Sequence, residues 1–342
     1  MIDSKSAAGP KAQWTSIERV RKENYKQAQL RSQLAFLKSS SAFSDVARLG
    51  GGSLFGIDRE FVLPHACKEE NLFEPIRRDV GDYFHTRRIS WHQARAHVLS
   101  SQVCCLNFLA PFSFQPRALK TLLRRIIGPI DEMLETERGR FVSFEFTGER
   151  DYLHEWKDGV HTRGANCTSV DAMVRFRTVD AGEEAALIEW KYTEHYGRPR
   201  PNDPKHAERL RRYEKMTFSP EGPIRADAGI GIRDLFAEPI FQLYRQQMLA
   251  TQMRSDKELG LDRVRTVLIA PRSNLNLYQV KIPSFKRFGP DLVAVWRALL
   301  SDPDGFVFST TEDLFGDAKD AVSGTPSLKP WYEYMANRYR FH

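Results

Sequence analysis

Three residues whose types suit metal-assisted hydrolysis fall in two neighbouring strand-like segments of the sequence. Asp171 lies near the start of residues 169–178, and Glu189 and Lys191 lie in residues 186–193. Because alternate side chains of a strand share a face, Glu189 and Lys191 point the same way and the apolar residues beside them face a core. If the two segments pair as a hairpin, a carboxylate from each strand meets the other at one end of a sheet.

Two carboxylates beside an amine are the groups needed to hydrolyse a phosphodiester with Mg²⁺. This ion prefers oxygen ligands, keeps several waters and accepts phosphate oxygens. A bound metal polarises the phosphodiester and produces hydroxide from water. Lys191 would orient the attacking water and stabilise charge in the transition state. We therefore expect Asp171 and Glu189 to bind Mg²⁺, with Mn²⁺ as the alternative ion, and Lys191 to be catalytic.

The elements that must position these residues follow an α/β pattern. Helices are predicted from residue 92 to Pro111 and over 115–137, because apolar residues recur there at helical spacing. Strands are predicted at 141–147, 169–178, 186–193 and 264–270, with a hairpin turn at 180–183 and a long helix over 232–254 before the last strand. This order predicts a mixed central sheet flanked by helices. A further helix is expected at 291–300 and a further strand at 305–309.

Composition and charge exclude several classes of protein. The 342 residues carry 41% hydrophobic and 28% charged residues, which is typical of a globular protein. Four cysteines without a C-x-x-C pair argue against a zinc finger or a disulfide framework. We find no apolar run long enough for a membrane span or a signal peptide, so we expect a cytoplasmic protein that makes no membrane contact.

Three regions are expected along the chain. Residues 1–53 form a basic N-terminal extension, with a helix at 15–38 followed by a glycine-rich linker. Residues 54–310 form the main domain, and 311–342 form a helical C-terminal tail. The basic N-terminal helix is either a solvated helix or an arm on a nucleic-acid backbone.

Asp171, the Glu189-Trp190-Lys191 triplet and the predicted order of elements resemble the PD-(D/E)XK nuclease superfamily, which has the restriction endonuclease-like fold. The resemblance covers residues 92–270, with Val170 in place of the proline that names the motif. Short phrases such as 168–172 resemble one bacterial branch of that superfamily. The resemblance implies an αβββαβ core with a helical N-terminal extension. It also implies a nuclease acting on nucleic acid, DNA in preference to RNA, in restriction, defence or DNA processing.

Further candidates would complete the site. Glu145 lies between two phenylalanines that face the other side of its strand, so its carboxylate needs water, a partner or a metal. Relatives often place an acidic or amide residue on the preceding helix, which would be Gln102 here; the alternative is an ordinary polar residue. Gln242 and Arg245 share a helix face and resemble the glutamine-bearing helix of some relatives, or else form only a polar stripe.

The net charge of +7 favours a polyanionic partner. Arg198, Arg200, Lys205 and Arg245 are the residues that we expect to contact nucleic acid, because the first three directly follow the E-x-K strand. A charge run is otherwise a solvated face. Two further hypotheses stay open: a catalytically inactive nucleic-acid-binding module, and an interaction protein with the same fold. A homodimer is plausible, since this fold commonly cuts two strands with two copies.

Overall fold

The computed structural model describes residues 24–156, 159–165, 167–180, 182–197 and 203–341. Within that part of the chain the helices are α1 (Tyr25–Ser39), α2 (Asp45–Leu49), α3 (Arg77–Thr86), α4 (Ser101–Leu109), α5 (Pro116–Ile127), α6 (His206–Thr217), α7 (Ile240–Ser255), α8 (Leu292–Leu299), α9 (Thr311–Ser323) and α10 (Lys329–Tyr339). The strands are β1 (Gly52–Leu54), β2 (Ile57–Arg59), β3 (Ile130–Leu134), β4 (Ser143–Phe146), β5 (Val170–Thr178), β6 (Glu183–Trp190), β7 (Arg263–Ala270) and β8 (Phe306–Thr310).

A mixed six-stranded sheet forms the centre of the fold. Its order is β3-β5-β6-β7-β8, and β4 pairs with β5 beside β3. The pairs on either side of β5 are antiparallel, whereas β6–β7 and β7–β8 are parallel. Helix α7 makes the crossover between β6 and β7, as a parallel pair requires. The predicted mixed sheet and the αβββαβ order are confirmed, and the further strand predicted at 305–309 is the edge strand β8. The edge strand β3 was not predicted.

Three helix predictions were wrong in extent. The helix predicted over 115–137 ends at Ile127, because Gly128 (φ 92°) and Pro129 stop it, and strand β3 occupies part of the remainder. The helix predicted from residue 92 begins only at α4, where the Ser100 side chain caps the N-terminus. The helix predicted over 232–254 is a short 3-10 turn followed by α7, since Pro239 begins a new helix.

Helices cover both faces of the sheet. Ile188 and Trp190 of β6 belong to a large core that also contains buried residues of α4, α5, α9 and α10. Leu187, on the opposite face, packs with Leu249 and Met253 of α7. Glu189 alternates with Ile188 and Trp190, and it therefore lies on the α7 face of the sheet.

A buried polar network joins α1 and α10, near the two ends of the described chain, to Tyr192. The guanidinium of Arg338 in α10 donates to the carbonyl of Asn71 (2.6 Å) and to Oε1 of Gln33 in α1 (3.1 Å). Gln33 in turn donates its amide to the Tyr192 hydroxyl (3.1 Å), and that hydroxyl donates to Gln29 (2.9 Å). Helices α1 and α10 therefore fix the position of Tyr192, two residues after the end of β6.

Helix α1 begins at Tyr25, and residues 15–23 of the predicted N-terminal helix lie outside the described residues. The helical tail predicted after residue 310 corresponds to α9 and α10. The boundaries at residues 53 and 310 stay predictions. Within the described residues, every helix is too short or too polar to span a bilayer.

Candidate active site

The carboxylates of three adjacent strands occupy one row across the sheet. Ala172 of β5 pairs with Ile188 of β6, so the same register continued by one residue places Asp171 opposite Glu189. On the other side of β5, the pairs of β4 bracket Glu145 opposite Asp171. Residues opposite one another in an antiparallel pair have their side chains close together. Glu145, Asp171 and Glu189 therefore lie in sequence across β4, β5 and β6.

Glu189 and Lys191 are directly hydrogen-bonded and almost fully buried. The Lys191 Nζ donates to Oε1 of Glu189 and also to Oε1 of Gln242 at 2.5 Å. The exposed fractions of Glu189 and Lys191 are only 2% and 5%. A charged pair in such a place needs further partners to offset its desolvation. Gln246 of α7 supplies one, because its side-chain amide donates to Oε2 of Glu189.

Asp171 is anchored on the neighbouring strand. Its Oδ2 accepts the backbone N–H of Trp190 at 2.7 Å, so the carboxylate bridges β5 and β6 at the row. Lys191 continues the ladder on the other side, where its N–H donates to the carbonyl of Ile269 at 2.8 Å. The end of β6 that carries Glu189 and Lys191 is thus held on both edges.

Glu145 forms a small cluster with Gln102 of α4 and with His92, which lies in the segment before α4. Oε1 of Glu145 accepts the Gln102 amide at 2.6 Å, and Oε1 of Gln102 accepts the backbone N–H of His92 at 3.0 Å. The His92 Nε2 lies 3.5 Å from Oε1 of Glu145. Glu145 also has a left-handed φ of 49°, a conformation that costs energy in a residue with a side chain. The backbone is therefore bent where this carboxylate joins the row.

The electrostatics of the row favour a nearby positive charge. Burial raises the pKa of Asp171 well above its usual range, and the carboxylates of Glu189 and Glu145 raise it further. Burial, with the Glu189 carboxylate, raises the pKa of Glu145 to about 7. Burial acts to lower the pKa of Lys191, but the Glu189 carboxylate and other nearby groups outweigh it, so this pKa is raised well above its usual range. Lys191 is therefore held as the ammonium ion.

The donor set suits a hard divalent cation in its chemistry, because carboxylate oxygens are the ligands that Mg²⁺ and Mn²⁺ accept. Within the described residues, however, no three His, Cys, Asp or Glu side chains are already arranged as a metal cluster. Both oxygens of Glu189 are occupied by Lys191 and Gln246. The residues expected to bind metal therefore lie together without forming a complete coordination sphere.

Helix α7 contributes two contacts to the E-x-K pair. Gln242, which the sequence left open between a supporting residue and a polar stripe, accepts from Lys191, and the Tyr196 hydroxyl also donates to it at 3.2 Å. Gln246 was missed. Its position four residues after Gln242, on the same helix face, was the signal available in the sequence. Arg245 points instead toward the entry of β5, where its Nη1 donates to the Thr168 hydroxyl at 3.3 Å.

Two other groups near the site were also missed. His92 lies in a segment that the sequence predicted as plain helix. Glu238, at the N-terminus of α7, has a buried Oε2 without a hydrogen-bond partner among the described residues. Burial raises the pKa of Glu238, although the charges of Arg245 and Lys191 act to lower it. Neither residue carries a motif, so the sequence had no signal for them.

Of the four residues predicted to contact nucleic acid, the structure describes Lys205 and Arg245. Arg198 and Arg200 lie outside the described residues. Lys205 is exposed directly before α6, and Arg245 lies at the edge of the carboxylate row. Arg209 of α6 lies over the Phe241 ring of α7 at 4.1 Å, and Arg245 of α7 lies over the same ring at 4.9 Å.

Comparison with known proteins identifies one family. Residues 19–340 match the family model described as "Restriction Endonuclease associating with ARP". No curated protein and no solved structure matches the chain.

Proposed function

This chain belongs to the family of restriction endonucleases associating with ARP, and from that premise we propose that it is a metal-dependent nuclease that hydrolyses phosphodiester bonds of DNA. The family confirms the resemblance to the restriction endonuclease-like fold and supports nuclease activity in general. The metal, the substrate and the catalytic residues are our proposal. Asp171 and Glu189 are the proposed metal ligands, Lys191 the catalytic cation, and Glu145 and Gln102 the residues that complete the site.

The observation that carries this proposal is the row of Glu145, Asp171 and Glu189 with Lys191 bonded to its end. Glu145 and Glu189 are buried and Asp171 is half-buried, so three carboxylates beside one ammonium are costly to keep ionised away from water. A divalent cation would supply the missing positive charge, and a fold evolved only for binding has no use for such an arrangement. This favours an enzyme over the inactive binding module.

The side chains of the candidate site have distinct roles in the proposed reaction. Lys191, held as an ammonium, donates a hydrogen bond to the attacking water or to a phosphate oxygen. Gln242 and Gln246 fix the orientations of Lys191 and Glu189. Arg245 would bind a neighbouring phosphate through its guanidinium. When bound, a divalent metal would supply hydroxide and neutralise charge on the phosphoryl group.

The test is a cleavage assay with plasmid DNA, linear DNA and RNA in Mg²⁺, in Mn²⁺ and in chelator. We expect cleavage only with metal, and we expect Asp171→Asn and Lys191→Met to lose on the order of 10²-fold or more of the rate. Asp180→Asn is the matched control, because Asp180 is an exposed carboxylate just beyond the other end of β5. Full activity of Asp171→Asn, or cleavage in chelator, would refute the proposal.

Isothermal titration with Mn²⁺ gives a second measurement that does not depend on turnover. The unsubstituted chain should bind the ion, and Asp171→Asn should bind it at least tenfold more weakly. If binding is absent in the unsubstituted chain while cleavage persists, the proposed metal ligands are wrong.

The family description also supports a proposal about partners. It says that its members associate with ARP, and we propose that this chain does so as well. An interaction role and nuclease activity are compatible, so a binding assay with that partner tests this point separately. The cytoplasmic location and the homodimer stay predictions.

A further inference from the structure

His92 lies at the mouth of the carboxylate row, and the reaction proposed above gives it no role. Its side chain is 43% exposed, whereas the side chain of Glu145 beside it is 4% exposed. The Nε2 of His92 and the Oε1 of Glu145 are 3.5 Å apart. An imidazole that faces solvent on one side and a buried carboxylate on the other is open to an ion from solution.

The separation of these two atoms suits two ligands of one metal ion. Ligand atoms that each lie about 2.1 Å from an ion are about 3.0 Å apart at a right angle and about 3.4 Å apart at the tetrahedral angle. A good N–H···O hydrogen bond is shorter, at roughly 2.7–3.2 Å. Within the described part of the chain, no hydrogen bond holds the imidazole of His92, and its ring nitrogens are therefore left for another ligand.

One glutamine positions both candidate ligands. The side-chain amide of Gln102 donates to Oε1 of Glu145 at 2.6 Å, and Oε1 of Gln102 accepts the backbone N–H of His92 at 3.0 Å. Gln102 is itself only 2% exposed. Hydrogen-bond partners of this kind orient the ligands of metal sites. His92 and Glu145 are thus placed beside one another before any ion binds.

Glu145 has no permanent counter-ion among the residues that the structure describes. Arg163 is nearby, but its guanidinium forms an ion pair with Glu137 and donates to the backbone carbonyl of Glu145. His92 is the one ion-pair partner found for the carboxylate in that part of the chain. Burial lowers the pKa of His92, so at about pH 7 the imidazole is neutral and keeps a lone pair for a metal.

A nitrogen ligand discriminates between the ions considered above. Mg²⁺ prefers oxygen ligands, whereas imidazole binds ions of the first transition series, with affinity rising from Mn²⁺ to Co²⁺ and Ni²⁺. Two protein ligands suffice where water and phosphate oxygens fill the remaining positions. Asp171 lies opposite Glu145 in the sheet register, so a second carboxylate of the row adjoins this position.

We propose that Nε2 of His92 and Oε1 of Glu145 bind one divalent transition-metal ion, Mn²⁺ in preference to Mg²⁺, at the β4 end of the carboxylate row. This inference rests on the proposed metal-dependent nuclease and adds the identity of its ion. It makes His92 a metal ligand instead of the partner of Glu145 in an ion pair. Co²⁺ and Ni²⁺ should bind at the same position more tightly than Mn²⁺.

Electron spin echo measurements on bound Mn²⁺ test the nitrogen ligand directly. We expect the Mn²⁺-loaded full chain to show modulation from a coordinated imidazole nitrogen, and we expect His92→Ala to lose it. His85→Ala is the matched control, because His85 is an exposed histidine of α3, and this variant should keep the signal. Bound Mn²⁺ without nitrogen modulation, or modulation that persists in His92→Ala, would overturn the inference.

Labelling histidine with the heavier nitrogen isotope makes the same test without any substitution. The modulation of the unsubstituted chain should change on labelling, because the coordinated nitrogen belongs to a histidine ring. A signal that labelling leaves unchanged comes from another nitrogen and contradicts the proposal.

Calorimetric titration tests the preference between ions. The unsubstituted chain should bind Mn²⁺ at least about tenfold more tightly than Mg²⁺, because only the former accepts the imidazole readily. His92→Ala should weaken binding of Mn²⁺ about tenfold and binding of Mg²⁺ less than about threefold. Equal losses for the two ions would point to a general disturbance of the site and count against a nitrogen ligand.

Failure of this inference and failure of the nuclease proposal have different signatures. Metal-dependent cleavage that is equally strong in Mg²⁺ and Mn²⁺, and unchanged in His92→Ala, leaves the nuclease standing and removes His92 from the metal site. Absence of binding of either ion overturns both proposals. Nitrogen modulation from bound Mn²⁺ without any cleavage supports the metal site and overturns the nuclease.

Discussion

Gln246 donates its side-chain amide to the Oε2 of Glu189, while Lys191 donates to the other oxygen of the same carboxylate. Gln246 is 2% exposed and lies one helical turn from Gln242, which accepts from Lys191. One face of α7 therefore holds both members of the E-x-K pair. The orientation of these groups is set by the folded chain before any substrate arrives, which is what electrostatic preorganisation requires.

Gln246→Leu should lower cleavage 10- to 100-fold, because supporting contacts of this kind typically contribute that factor. The free energy of unfolding should fall by about 1–3 kcal/mol, since a buried carboxylate oxygen loses its donor. Gln252→Leu, a partly buried residue of the same helix, is the control. Urea unfolding and single-turnover rates measure the two effects. Wild-type rates in Gln246→Leu would show that Glu189 needs no support.

Arg245→Gln should weaken binding of nucleic acid at all sequences. The slope of log affinity against log salt concentration should fall by about 1, because one phosphate contact is lost. Arg254→Gln tests the same change at the far end of α7, where the arginine lies 4.0 Å from Asp302. Anisotropy at several salt concentrations measures both variants. A salt slope unchanged by Arg245→Gln would remove this residue from the proposed interface.

His97 should make stability depend on pH. Burial, with a smaller contribution from Lys26, lowers the pKa of His97 to about 4, and its Nδ1 accepts the N–H of Leu99 at 2.9 Å. The folded state therefore takes up this proton less readily than the unfolded state, so stability falls as pH drops from about 6.5 toward 4. We expect this part of the loss to be about 1–3 kcal/mol, because the ring is only half-buried.

Unfolding of the His97→Asn variant at pH 7 and pH 4 measures this contribution. The variant should lose less stability than the unsubstituted chain over that interval. His65→Asn, at an exposed histidine, should follow the unsubstituted chain. Identical pH profiles for His97→Asn and the unsubstituted chain would contradict the assignment.

Arg338→Met should destabilise the protein by about 2–4 kcal/mol, because Asn71 and Gln33 lose a buried donor that nothing replaces. Arg340→Met, at an exposed arginine two residues later, should change stability by less than about 0.5 kcal/mol. The activity of Arg338→Met should decline only as the folded fraction does. A separate loss of rate at full folding would show that the network also positions Lys191 through Tyr192.

Sequence reasoning was most successful where a local pattern determines geometry. The two-residue period of a strand places Glu189 and Lys191 on one face, and the hairpin that follows Asp171 makes its strand the neighbour of theirs. The order of helices and strands followed from hydrophobic periodicity in the same way. The helix predicted over 115–137 failed because apolar spacing continued past Gly128 and Pro129, which end the helix whatever the period.

The sequence by itself determined the types of chemical group, the strand face of Glu189 and Lys191 and the place of Asp171 beside them, because these depend on neighbours within a few residues or on one tight hairpin. Only the tertiary structure decided that Gln246 supports Glu189, that His92 lies beside Glu145 and that α1 and α10 meet at Tyr192. Such contacts join residues far apart in the chain, and packing of helices on both faces of the sheet selects them. No local pattern records how those helices are rotated and placed against the strands.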